Sequence, residues 1–426
     1  MSQRSQLQAA GDRAITVPDR PTPPHGVTGA RAAWLVAGVL LVALNLRPAI
    51  VAVSPLLDTI RATTGLSGTA AGLLTTLPVA CFGLFAPFAP KLARKVGMEA
   101  GLAGVLVLLL AGVLVRLADS AVALFAGTFL IGVAIAVGNV LLPGLIKRDF
   151  PHRGGPMTGL YSMALFAGAA LAAGGTVPLG HATGLGWRAT LALWAVLVGV
   201  GVLAWLPQLA GGRATRPSAA SAAAAAHPVR GLWREALAWQ VALFMGLQSL
   251  NYYTATAWLP AVFGAHGMSD GQAGWMLSFS SLLGIAGALF GPVLAGRIRR
   301  QGMVAVCAGV LCAAGIGGMA VAPVGGAYLW MVLLGLGQGL AISLSLAYLV
   351  LRAPDARHAA QLSSMAQCVG YLLAAVGPLV LGALHDATHD WTVALVVLGA
   401  LLVPQTVVGV LAGRRRHVGR HDPGAG

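Results

Sequence analysis

Arg47 is the side chain in this sequence whose setting asks most for an explanation. It stands in Leu44-Asn45-Leu46-Arg47-Pro48-Ala49-Ile50, well inside a long apolar run. A guanidinium stays charged and presents five donors in a planar fork, so it suits an anion or a planar molecule rich in acceptors. Such a group could reach out of the apolar layer on its flexible stem. Pro48 beside it and Asn45 nearby instead favour a bent, locally polar helix with Arg47 facing a cavity.

A second polar group recurs at helical spacing. Gln248, Asn251 and Tyr252 share one face, with Thr256 one turn beyond. Asn139 precedes Pro143, and Gln338, Tyr161 and the pair Gln367/Tyr371 stand in further apolar runs. Taken singly, each of these is also explained by a hydrogen bond between helices. None of the twelve carboxylates falls in the middle of an apolar run. The stretch His385-Asp386-Ala387-Thr388-His389-Asp390 reads as a solvated turn rather than a metal site. No nucleophile–base pair, phosphate-binding glycine loop or zinc spacing is present, so neither an enzyme, a cofactor nor a metal is expected.

The elements that must position these residues follow from composition. Of 426 residues, 57% are hydrophobic and 9% charged, and the mean hydropathy is +0.81. Soluble domains carry about 25% charged residues, so this chain is read as an integral membrane protein. Its net charge of +15 is scattered in short clusters between apolar runs, which argues against a nucleic-acid partner. Twelve runs are long enough to span a bilayer: 32–53, 69–90, 99–117, 122–146, 156–180, 188–207, 236–263, 271–296, 302–322, 327–350, 360–384 and 391–412. Below they are numbered one to twelve. Of the 27 basic residues, 23 fall in the tails and alternate connections; Arg47, Arg61, Arg116 and Arg188 are the others. That asymmetry predicts both termini in the cytoplasm. Trp187, Trp258, Trp275, Trp330 and Trp391 fall near the outer boundary. Cys81, Cys307, Cys312 and Cys368 lie inside spans and are read as packing residues.

A polar, Pro-rich tail (1–31) is read as disordered, and a basic tail closes the chain (413–426). Residues 208–235, with an Ala-rich run from Ser218 to Ala226, form a linker between two halves of six spans, 32–207 and 236–412. The halves resemble each other. At an offset of 202, Gly65, Ser67, Ala71, Gly72, Phe88, Pro90, Leu92 and Ala93 match Gly267, Ser269, Ala273, Gly274, Phe290, Pro292, Leu294 and Ala295. Parallel six-span repeats define one secondary-transporter architecture, so the fold class is all-α, with twelve membrane helices in two six-helix bundles.

Asn45-Leu46-Arg47-Pro48, Ala71-Gly72-Leu73-Leu74-Thr75-Thr76-Leu77-Pro78 and Phe82-Gly83-Leu84-Phe85-Ala86-Pro87 resemble the cyanate/nitroimidazole transporter family of the major facilitators. Gly138-Asn139-Val140-Leu141-Leu142-Pro143, Lys147-Arg148-Asp149-Phe150-Pro151, Tyr252-Tyr253 and Trp258-Leu259-Pro260 fit the same pattern. The general superfamily loop after span two is degraded, with Arg94 where an acid would stand. The resemblance implies a multi-pass permease of the bacterial inner membrane for a cyanate-like or nitroimidazole-like solute. It would work by alternating access at a site lined by spans one, four, seven and ten. The expected contact residues are Arg47, Asn45, Asn139, Gln248, Asn251, Tyr252, Gln338 and Gln367. A small-molecule substrate, the lipid bilayer, an optional co-transported proton and a monomeric state complete the expectation. Two alternatives stay open: a proton-coupled drug exporter of the same fold, and a non-transporting membrane sensor.

Overall fold

A computed structural model describes residues 29–150, 153–212, 231–297, 300–354 and 356–419. The expected N-terminal tail and the Ala-rich part of the linker lie almost wholly outside these residues, as does the end of the basic tail. Among the described residues the elements are helices. Eleven are long and apolar enough to cross a membrane, from Ala33–Thr64 to Trp391–Ala412. The remaining span, seven, is the helix Ala236–Ala265, which has the length but not the hydropathy. The reason is its position. Every residue from Phe244 to Pro260 is buried, so this helix faces protein on all sides and can carry Gln248, Asn251 and paired tyrosines.

Span one also departs from the expected 32–53, continuing to Thr64 through successive short turns. Its first helix, Ala30–Asn45, stops at Leu46, and a second short helix, Pro48–Val51, begins with Arg47 as its N-cap. Proline has no N–H and is favoured at a helix's first position, so Pro48 sets this restart. A Ser54–Leu56 turn and the helix Leu57–Thr64 follow, ended by Gly65 in the left-handed conformation at φ 71°.

The packing repeats. Span one packs on five and six, two on four, three on four and six; in the second half seven packs on eleven and twelve, eight on ten, nine on ten and twelve. The halves meet through span five against eight and span two against eleven, which are images of each other under the same repeat. Charged groups repeat too. Arg148, ending span four, pairs with Glu99 at the start of span three at 2.5 Å. Arg352, ending span ten, donates instead to Gln301, 202 residues on from Glu99, and to the Ala412 carbonyl.

Close helix approach depends on glycines at the crossings. A Cβ on Gly83 of span two would meet the Leu372 side chain and Cys368 carbonyl of span eleven at 2.7 and 2.9 Å. One on Gly274 of span eight would meet the Ala173 carbonyl of span five at 2.6 Å. Trp187, Trp258 and Trp391 are buried rather than facing outward. Trp258 donates to the Pro378 carbonyl at 2.8 Å, and Trp391 is stacked on His385.

Candidate functional site

Arg47 lies buried where the halves meet. Its Nη1 donates to the Tyr253 hydroxyl of span seven at 2.5 Å. The guanidinium carbon also stands 5.1 Å from the Tyr252 ring centre and 5.3 Å from that of Tyr253. Consecutive residues on a helix point about 100° apart, so the two rings embrace the cation from two sides. The break in span one makes this possible. It seats the Leu44 carbonyl and the Pro48 ring against Gly168 of span five, where any Cβ would collide.

A belt of rings surrounds the pair. Phe166 of span five meets Tyr252 edge-on at 5.9 Å; Phe82 of span two meets Tyr253 at 5.9 Å and Tyr371 of span eleven at 5.2 Å. Gly284 of span eight leaves the space that the Phe166 ring fills. Beside Arg47 a pocket is lined by Ser162, Leu165, Phe166, Tyr252 and Ile342. These come from spans five, seven and ten, beside Arg47 of span one.

The other expected contact residues divide into three groups. Gln248 and Gln367 lie one turn from Tyr252 and Tyr371 on the same faces, with their amides on Ser249 and Ser363 at 2.7 and 2.9 Å. Gln338 is one turn from Ile342, and its buried amide nitrogen has no partner. Asn139 accepts from Tyr161 at 3.4 Å, and its buried amide nitrogen is also unpartnered. Asn45 and Asn251 turn away from the pocket. Asn45 donates to the Leu41 and Leu197 carbonyls at 2.9 and 3.2 Å, and Asn251 to Gln405 at 3.1 Å. Each ties the first helix of its half to the last. The two asparagines are 206 residues apart, and so are Arg47 and Tyr253. The cation and its hydroxyl partner therefore occupy matching positions and meet across the pseudo-twofold.

Sequence reasoning left Tyr253, Phe166 and Ser162 out of the contact set. Tyr253 had a signal in being the counterpart of Arg47 once Asn45 and Asn251 are aligned. Phe166 and Ser162 had none, because neither departs from the composition of its span. Among the described residues no carboxylate pairs with Arg47.

The family model described as Major Facilitator Superfamily matches residues 34–378 and 265–425. The chain is 42% identical over 384 residues to the 2-nitroimidazole transporter of Escherichia coli (strain K12), covering 90% of this chain and 96% of that protein. It is 32% identical over 371 residues to the cyanate transport protein CynX of the same organism, covering 86% and 94%. Among solved structures, a D-xylose-proton symporter superposes with a TM-score of 0.68 at 14% identity, covering 90% of this chain and 96% of the symporter.

Proposed function

The chain belongs to the major facilitator superfamily and is a multi-pass membrane transporter, and from that premise we propose that it carries a small planar, acceptor-rich solute of the nitroimidazole type. The observation that carries this reading is Arg47 held between the Tyr252 and Tyr253 rings at the junction of the halves. A flat ring with a nitro or carboxylate group uses both parts of such a site. Its acceptor atoms take the guanidinium fork, and its faces or edges meet the aromatic belt. The unpartnered amide nitrogens of Asn139 and Gln338, on the corresponding spans four and ten, add a donor from each half. Buried donors without partners favour a ligand that brings acceptors. A bare cyanate ion would use the cation and leave the rings idle, and is the second reading.

The mechanism follows from who holds Arg47. Without solute, the Tyr253 hydroxyl occupies the fork, and the solute must displace it. A solute that touches Arg47 on one half and Tyr252 on the other favours the closed, occluded state over either open one; that difference in affinity drives the rocking of halves 32–207 and 236–412. With no acid paired to Arg47 among the described residues, a proton would travel on the solute itself if at all. That also weighs against a cation exporter. Both termini on the cytoplasmic side of a bacterial inner membrane fit the basic loops.

The test is flux of labelled 2-nitroimidazole, benzoate and cyanate in proteoliposomes, with and without a proton gradient. Flux of the planar compounds is expected in the wild type, and Arg47→Lys, which keeps the charge but loses the fork, should lower it at least about tenfold. Flux of cyanate alone would replace the planar-ring reading, and full flux through Arg47→Lys would remove the role of the fork.

A further inference from the structure

Arg116 ends span three, inside the expected 99–117; only 2% of it is exposed and no carboxylate reaches it among the described residues. Its Nη1 donates to the Ala49 carbonyl at 2.7 Å, while Nε and Nη2 close on the Thr128 hydroxyl at 3.1 and 2.9 Å. Thr128 in turn donates to the Leu124 carbonyl at 2.6 Å. A buried arginine spent on a carbonyl and a hydroxyl invites the question of what it holds.

Ala49 belongs to the short helix that begins at Arg47. In a regular helix its carbonyl would accept from the Val53 N–H. Here the Val53 N–H goes to Ile50 and the Ala52 N–H to Pro48, so the Ala49 carbonyl lacks its helical donor. Arg116 supplies the substitute. The second half has no such device: at the offset of 202, Gly318 and Trp330 stand for Arg116 and Thr128. The Trp330 ring lies against Gly318, and its N–H goes to the Ala322 carbonyl at 2.9 Å. There the first helix of the half, Ala236–Ala265, is unbroken. The guanidinium is present in the half whose first helix is interrupted, and indole fills its place in the other.

We propose that Arg116 is a positioning residue for Arg47: it holds the Pro48–Val51 turn in the orientation that aims the Arg47 guanidinium between Tyr252 and Tyr253. This rests on Arg47 being the solute-binding group. The function then depends on two arginines in series, one that touches solute and one that fixes the turn carrying it.

The experiment uses the full chain in lipid nanodiscs. Hydrogen exchange of a peptide covering 44–56 is compared in the wild type, Arg116→Met and Arg116→Lys. Loss of a charge-assisted bond predicts about tenfold faster exchange there in the methionine variant, with span-three peptides unchanged. Lysine keeps one donor for Ala49 and should recover at least half of the difference. Unchanged exchange at 44–56, or lysine no better than methionine, would overturn the proposal. In a binding cycle with 2-nitroimidazole, Arg116→Met should weaken binding about tenfold beside Arg47 and not at all in an Arg47→Ala background. Equal losses in both backgrounds would make Arg116 a general scaffold residue and overturn the role. If the wild type binds no 2-nitroimidazole, the assignment of Arg47 fails, and the exchange data still judge Arg116. Should Arg116→Met not fold, Thr128→Val releases half of the fork and is expected to change exchange in the same direction by less.

Discussion

Tyr253 is the residue on which the competition at Arg47 turns. A hydrogen bond to a charged group contributes about 1.5–3 kcal/mol, and a buried fork that loses one is left short of an acceptor. Tyr253→Phe keeps the ring beside the cation and removes the hydroxyl that a solute must displace. Binding of an acceptor-rich solute should therefore tighten, by roughly tenfold on the lower end of that range, while the solute-free protein becomes less stable to heat. Equilibrium binding of 2-nitroimidazole to the two proteins decides it. Weaker binding in the phenylalanine variant would mean that the hydroxyl contacts the solute rather than competing with it. Tyr252→Leu removes one of the two faces that flank the cation. A cation–π contact in a desolvated site is worth about 2 kcal/mol, and the same ring would meet a planar solute. The variant should lose affinity for 2-nitroimidazole at least about tenfold and for cyanate much less, a contrast read in one competition assay.

The broken helix of span one is the element that matters most, and its seat is Gly168. A side chain there would press on the Leu44 carbonyl, whereas Gly199 of span six has open space around its Cβ position. Gly168→Ala should lower both melting temperature and flux, and Gly199→Ala should change neither; thermal unfolding in detergent and flux in liposomes measure the pair. A silent Gly168→Ala would mean that the turn at Leu46–Arg47 shifts without consequence. Much of this element was legible beforehand. Pro48 next to a charge in an apolar run announced the bend at Leu46–Arg47. Span one's true length was not, because Pro55 and the polar Asp58–Thr64 stretch look like the end of a span. Polarity misled in the opposite sense at Asn45 and Asn251. Both stand beside the site in sequence and bind the last helix of their own half instead, a choice made by helix rotation that residue type does not encode. Arg116 entered the sequence reading only as a basic residue outside the cytoplasmic clusters: its partners are a carbonyl and a hydroxyl from other spans, and no acid in the sequence marks them.

At the scale of the whole molecule, the two halves are closed together on the face carrying the short loops at 65–67, 184–186 and 267–269. Ser54 donates to the Thr256 and Ala257 carbonyls at 2.7 and 3.0 Å, and Ser278 to the Ala170 carbonyl at 2.8 Å. Gly174 lies so close to Ser278 that an added Cβ would stand 3.0 Å from the serine Cβ. Hydrogen bonds to carbonyls and contacts at glycines make a closely fitting seam, with the Trp258 and Trp275 rings 3.6 and 3.7 Å from the Cβ positions of Gly72 and Gly174 across it. Alternating access requires this seam to open once per cycle. A disulfide needs Cβ atoms about 3.5–4.5 Å apart, so cysteines at 174 and 278 can bond after a slight local adjustment. In a background with Cys81, Cys307, Cys312 and Cys368 replaced, Gly174→Cys with Ser278→Cys should carry solute when reduced. Oxidation should stop flux nearly completely, and a reductant should restore it. Binding should survive oxidation, since the bond fixes one face of the molecule and leaves Arg47 and its rings in place. Undiminished flux with the bond formed would mean that these halves do not separate along spans five and eight. Loss of binding together with flux would place the solute's path through this seam rather than on its far side.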